Sequence, residues 1–207
     1  NAFVLRYSVK PSVFPVALLE AADAMKMICE HAAEWHVDPN AIAVIGFSAG
    51  GHLAANLATS ASDDVLAAHG YDPDAVRPNG LMLAYPVITS GPLAHRGSFD
   101  SLLGGRRNDP ETLESVSIEH HIDTKTPPVF VWHTVPDEIV PYENTLMMID
   151  ACKKAGVSVE AHLFPQGGHG LSLGTAETAW QGVDGIEPSM QIWTQLAVAW
   201  MRRTFAR

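Results

Sequence analysis

The sequence predicts an α/β chain, a mostly parallel sheet with helices on both faces. Three observations predict it. The run 41–45 is unbroken, apolar and holds β-branched residues, the mark of a strand covered on both sides, and the stretches 81–85, 129–133 and 157–164 also read as strands. Stretches with apolar residues at helical spacing lie between these runs. The alternation continues along the chain with no internal repeat and no long linker, so a single domain over 1–207 is expected.

The elements follow in order. Ala2 to Tyr7 reads as a first strand, and Pro11 and Pro15 break the chain after it. Leu18, Ala22, Met25, Cys29 and Ala32 recur at helical spacing, which predicts a helix from Val16 to Trp35, entered at Ser12 or Pro15. Val37 to Asn40 is a turn. The run Ala41 to Ile45 is the next strand, and the Ala/Leu-rich segment after Gly50 is a helix that fades near 60–64. Leu66 to Gly80 is polar and holds two prolines, so it reads as a surface loop. Leu81 to Tyr85 is a strand continued by Pro86-Val87-Ile88. An irregular insertion is expected over 89–126, broken by a short helix from Pro110 to Ser117 with Asp109 as its N-cap. Val129 to His133 is a buried strand. Pro141 to Ala155 is a helix closed by Gly156, and Val157 to Phe164 is the last strand. A final helix spans about 189–205, with Ile192, Leu196, Ala199 and Trp200 on one face.

Composition narrows the function. Hydrophobic residues make up 47% and charged residues 17%, a balance that fits a folded α/β enzyme and not a disordered chain. The net charge of −10 disfavours binding to nucleic acid or anionic lipid through bulk electrostatics. No apolar run approaches the roughly 20 residues that cross a bilayer. Cys29 and Cys152 both fall in expected helices and read as free thiols.

One stretch carries the chemistry. Gly46-Phe47-Ser48-Ala49-Gly50 is a G-x-S-x-G pattern between an expected strand and an expected helix. That context is what a nucleophile elbow needs: a sharp, strained turn that lifts the serine hydroxyl clear of the sheet. The Ala49 N–H, at the helix start, would face a developing oxyanion.

Two later residues complete a pattern. Asp137 follows the strand ending near His133, and His169 follows the strand ending near Phe164 in a glycine-rich loop. In doubly wound sheets functional residues gather at the carboxyl ends of strands, and Ser, Asp, His is the order of this elbow chemistry. His169 would take the Ser48 proton, and Asp137 would orient the imidazole and stabilise its charged form. Glu138 is the nearest competitor of Asp137. His52 reads as a packing or capping residue. His120 and His121 lack metal-ligand spacing, so no metal site is expected. Arg96, Arg106 and Arg107 read as solvated surface, with one available for a polar substrate.

With these residues in place, the sequence resembles the α/β-hydrolases of the esterase/lipase type, in particular the bacterial acetyl-xylan and carbohydrate esterase group. The resemblance rests on Phe3 to Tyr7, Asp38 to Leu53, Tyr85 to Thr89, Trp132 to Pro141 and Phe164 to Leu171. It implies an α/β-hydrolase fold, a Ser48–Asp137–His169 triad, no cofactor, and hydrolysis of small acyl esters such as acetylated carbohydrate. Such proteins carry an H-G-G-G-type oxyanion segment ahead of the elbow, and this sequence shows none. The expectation is therefore an N-terminally truncated member with an open sheet edge: the sequence is a piece of a longer chain, the Ala2 to Tyr7 strand shifts to cover the edge, or association into a homo-oligomer covers it. Transfer of the acyl group to an alcohol, serine peptidase activity on the same triad, and a non-catalytic remnant are the competing readings.

Overall fold

The computed structural model describes residues 1–180 and 185–206. Four strands form one sheet: β1 (Ala43–Phe47), β2 (Gly80–Ala84), β3 (Val129–Thr134) and β4 (Val159–Phe164). Their spatial order is their chain order, and all three pairings are parallel. The helices are α1 (Val16–Glu30), α2 (Ala49–Ala58), α3 (Asp63–Ala68), α4 (Pro73–Val76), α5 (Arg96–Leu103), α6 (Pro110–Ser115), α7 (Glu143–Ala155) and α8 (Trp193–Thr204).

Both faces of the sheet are covered at its centre, where β2 and Val129 to Trp132 of β3 are apolar and buried, whereas the outer strand β4 carries Glu160 and His162. Successive side chains point to opposite faces. Leu81, Leu83, Val129 and Val131 pack with Ala54, Ala55 and Ala58 of α2 and with Met148 and Cys152 of α7. Met82, Ala84, Phe130 and Trp132 pack on the other side with Trp193, Ala197 and Trp200 of α8. Each large side chain so buried contributes about 1.5–3 kcal/mol. α1 lays Leu18, Ala21, Ala22 and Met25 against Leu57, Leu66 and Val76.

Several local expectations change. Ala2 to Tyr7 forms no strand: Val4 is 96% exposed, and no strand among the described residues pairs with this segment. An extended segment without ladder partners is not a strand. α1 ends at Glu30, five residues before Trp35. Beyond it the chain turns so that Trp35 stacks on His31 (4.8 Å) and meets Phe3 (5.3 Å). The 66–80 stretch is not a plain surface loop. It contains the second half of α3 and all of α4, with Leu66 and Val76 buried under α1. The 89–126 stretch is more regular than expected, because α5 inserts Phe99 and Leu103 into a cluster with Val87, Val116 and Val140. The inward face of α8 is Trp193, Ala197 and Trp200, whereas Ile192 is exposed. The two shorter terminations hold: Asp109 accepts from Thr112 N–H (3.0 Å) at the start of α6, and Gly156 ends α7 in the left-handed conformation (φ 73°).

Candidate active site

The sheet brings three loops to one end. The ladder pairs Phe47 with Ala84, Ala84 with Trp132, and Thr134 with Phe164, so the carboxyl ends of β1, β3 and β4 lie along one edge. Ser48 follows β1 directly, Asp137 lies three residues beyond β3, and His169 lies five residues beyond β4.

Ser48 stands on a strained turn. Its φ is 52°, a left-handed value that non-glycine residues rarely adopt. The surrounding backbone fixes it there. Ser48 N–H donates to Ala84 O (3.0 Å), and Ser48 O accepts from Val87 N–H (3.1 Å) and Gly51 N–H (3.0 Å). The close return of the chain requires glycine at two positions. A Cβ on Gly46 would lie 2.1 Å from Gly50 O, and one on Gly51 would lie 2.9 Å from Pro86 Cβ. Ala49 is the first residue of α2, where backbone N–H groups have no partner within the helix.

The serine, histidine and aspartate meet in sequence. Ser48 Oγ is 2.7 Å from His169 Nε2, and His169 Nδ1 is 2.7 Å from Asp137 Oδ2. His169 sits on a loop that only glycine can shape, since Gly167 and Gly170 have φ values of 99° and 78°. Thr134 Oγ1 ties that loop to β3 by donating to Gly168 O (3.0 Å). The Tyr85 and His169 rings meet edge to face (4.9 Å between centroids), and Tyr85 Oη accepts from Ser172 N–H (3.1 Å).

Asp137 is buried and Glu138 is exposed, which separates the two candidates. Burial alone would push the Asp137 carboxyl up. Hydrogen bonds from His133, His169 and Val140 N–H, with the His169 charge, outweigh it and hold the group well below the usual carboxylate range. The other oxygen, Oδ1, accepts from Ile139 N–H (2.9 Å) and Val140 N–H (3.0 Å).

The remaining candidates lie elsewhere. Arg96 donates to Arg107 O, Arg106 to Phe14 O and Arg107 to Gly104 O, so all three brace backbone. His52 is buried and its Nε2–H donates to Val116 O (2.8 Å), a packing role. His120 pairs with Glu114 (2.6 Å), and His121 Nε2 meets Glu114 O. Cys152 is a buried free thiol pushed up to about 12 by burial, too high for a nucleophile at neutral pH. Sequence reasoning passed over His133, Asn144 and Tyr85. His133 and Tyr85 close expected apolar strands and Asn144 lies in an expected helix, so only packing shows which polar groups they reach.

A serine hydroxyl on an imidazole, the imidazole on a buried carboxylate, and an N–H at a helix start are an arrangement that can support acyl transfer. The fold is that of the α/β-hydrolases. The BD-FAE family model matches residues 5–151, and the chain belongs to that family.

Similar proteins agree with this. An acetyl ester-xyloside bifunctional hydrolase from Caldicellulosiruptor lactoaceticus superposes with a TM-score of 0.81 at 38% identity, covering 97% of this chain and 70% of that one. Endo-1,4-beta-xylanase B of Butyrivibrio fibrisolvens is 33% identical over 195 residues, 92% of this chain and 30% of that protein. An acetylxylan esterase of Xylanibacter ruminicola is 28% identical, over 84% of this chain and 35% of that protein. The chain thus spans about a third of the length of these two curated relatives.

Proposed function

We propose that the chain carries the catalytic site of a serine carboxylesterase for short acyl esters, with acetyl esters of carbohydrate as the substrate class. The observation that carries this reading is the pair of 2.7 Å contacts joining Ser48 Oγ to His169 and His169 to Asp137. The name of the Xylanibacter relative and that of the Caldicellulosiruptor hydrolase support the acetyl and carbohydrate parts.

In this reading His169 Nε2 accepts the Ser48 proton as Oγ attacks the ester carbonyl carbon. The carbonyl π pair moves to oxygen, and the Ala49 N–H at the start of α2 donates to that oxyanion. Collapse expels the alcohol, which takes the proton from Nε2, and leaves an acyl group on Ser48. Water, deprotonated by the same imidazole, then releases the acid. Asp137 holds Nδ1–H throughout and offsets the imidazolium charge.

Glycoside cleavage fits the site less well. That chemistry uses two carboxyl groups flanking the bond, whereas both oxygens of Asp137 are engaged by His169, His133 and backbone N–H groups. β1 ends the sheet among the described residues and Ile45 on it is 43% exposed, which supports association of the chain into an oligomer. Light scattering at micromolar concentration tests that association, and a stable monomer counts against it.

The deciding assay compares hydrolysis of p-nitrophenyl acetate and acetylated xylan by the chain and by Ser48→Ala. Loss of both activities in the variant is expected. Equal rates would overturn the assignment, and an inactive parent chain would favour the non-catalytic remnant.

A further inference from the structure

Asp137 meets a second histidine, at the same oxygen that His169 engages. His133 lies on β3 with its side chain wholly buried, and its Nε2 is 3.2 Å from Asp137 Oδ2 and 3.0 Å from Val140 O. Its Nδ1 is 2.9 Å from Thr145 Oγ1 on α7. The proton can be placed from chemistry alone. A backbone carbonyl can only accept, so Nε2 carries a hydrogen, shared between Val140 O and Asp137 Oδ2. The Thr145 hydroxyl can then donate to Nδ1, which fixes the ring from its other end.

The carboxylate therefore receives four N–H groups. Oδ1 takes Ile139 and Val140, while Oδ2 takes His169 and His133. The backbone pair fixes where Oδ1 sits but leaves the carboxylate plane free to turn about that end. His133 is the group that fixes Oδ2. The ionisable side chains joined to His133 are Asp137 on the following loop and, through it, His169 on the loop after β4. α7 contributes the uncharged Thr145.

We infer that His133 is a positioning residue, its Nε2–H, braced by Thr145, holding Asp137 Oδ2 in line with His169 Nδ1. This rests on the Ser48–His169–Asp137 reading above. His133 does not touch substrate or exchange a proton with it. Its effect falls on the step in which His169 becomes charged, and so on kcat more than on KM.

Substitution at position 133 with p-nitrophenyl acetate as substrate tests this. His133→Gln places an amide N–H near the place of Nε2, whereas His133→Phe fills the space without a donor. The Phe variant is expected to lose about 10–100-fold in kcat, the scale of a hydrogen bond to a charged group, with KM within about twofold. The Gln variant is expected to recover most of that loss. Should the Phe variant fail to fold, His133→Asn decides: its shorter amide reaches Thr145 but not Asp137, and a kcat loss like that expected for Phe follows. A folded Phe or Asn variant with the parent kcat overturns the inference, as does a Gln variant as impaired as the donor-free one. Failure of the triad itself reads differently, since Ser48→Ala would then keep the parent rate.

Discussion

A methyl group on Gly46 would sit 2.1 Å from the carbonyl oxygen of Gly50. The strand carrying Gly46 and the helix backbone at Gly50 and Gly51 approach too closely for any side chain at position 46, whereas a Cβ on Gly50 would meet only Tyr7 Oη at 3.3 Å. The obstacle is backbone, which cannot swing aside, so Gly46→Ala should cost about 3 kcal/mol. Gly105→Ala is the control, because nothing lies within 4 Å of a Cβ there. A urea midpoint for Gly46→Ala equal to that of the control would show that the elbow is less tight than described.

Asp137 receives His169 Nδ1 at 2.7 Å. Asp137→Asn keeps the shape but favours the wrong tautomer of the imidazole, and kcat for p-nitrophenyl acetate should drop by about 10⁴. Glu138→Gln, at an exposed neighbouring position, should leave it unchanged. A reversed ranking of the two variants would move the orienting role to Glu138.

Asn144 is a buried fastener between α7 and the segment that follows β2. Its Oδ1 accepts from Ile88 N–H (2.9 Å) and Thr89 N–H (3.1 Å), and its Nδ2 donates to Leu93 O and Pro141 O. Asn144→Leu strands two buried donors at about 1–3 kcal/mol each. The expected result is a lowered urea midpoint, and a midpoint within error of the parent would deny the fastening role.

His52 predicts acid sensitivity. Burial lowers its pKa from the ordinary value of 6.5, and the bond to Val116 O and the nearby Glu119 charge only partly oppose this. A group depressed in the folded state favours folding above its unfolded pKa and loses that favour as pH falls toward the folded value. Stability should therefore fall from about pH 6.5 downward, with a slope of up to about 1.4 kcal/mol per pH unit. Asp137, also depressed, adds its own loss only below about pH 5. His52→Gln should flatten the curve between pH 6.5 and 5 in chemical denaturation. Parallel curves for the two proteins would remove His52 as the cause.

The parallel sheet, the four core strands and the order Ser48, Asp137, His169 were all legible in the chain. They depend on local signals: short runs rich in apolar residues, glycines where a turn demands them, and residue types just past strand ends. α3, α4 and α5 were not legible as elements. Short helices have little propensity signal, and Leu66, Val76 and Phe99 gain their order only by burial against distant segments. The expected strand over Ala2 to Tyr7 failed for the complementary reason, since its pattern is that of a strand but ladder bonds need a partner.

The same division runs through the site. The sequence by itself determined which residue could be nucleophile, base and orienter, because those roles follow from residue type and from position after a strand. Only the tertiary structure shows Asp137 buried against His169 while Glu138 is exposed, and only it brings His133 and Thr145 to the far end of that contact. Burial and hydrogen-bond direction are relations between side chains that converge from β3, α7 and the loop after β4. No local pattern encodes them, since each depends on where the other two elements come to rest.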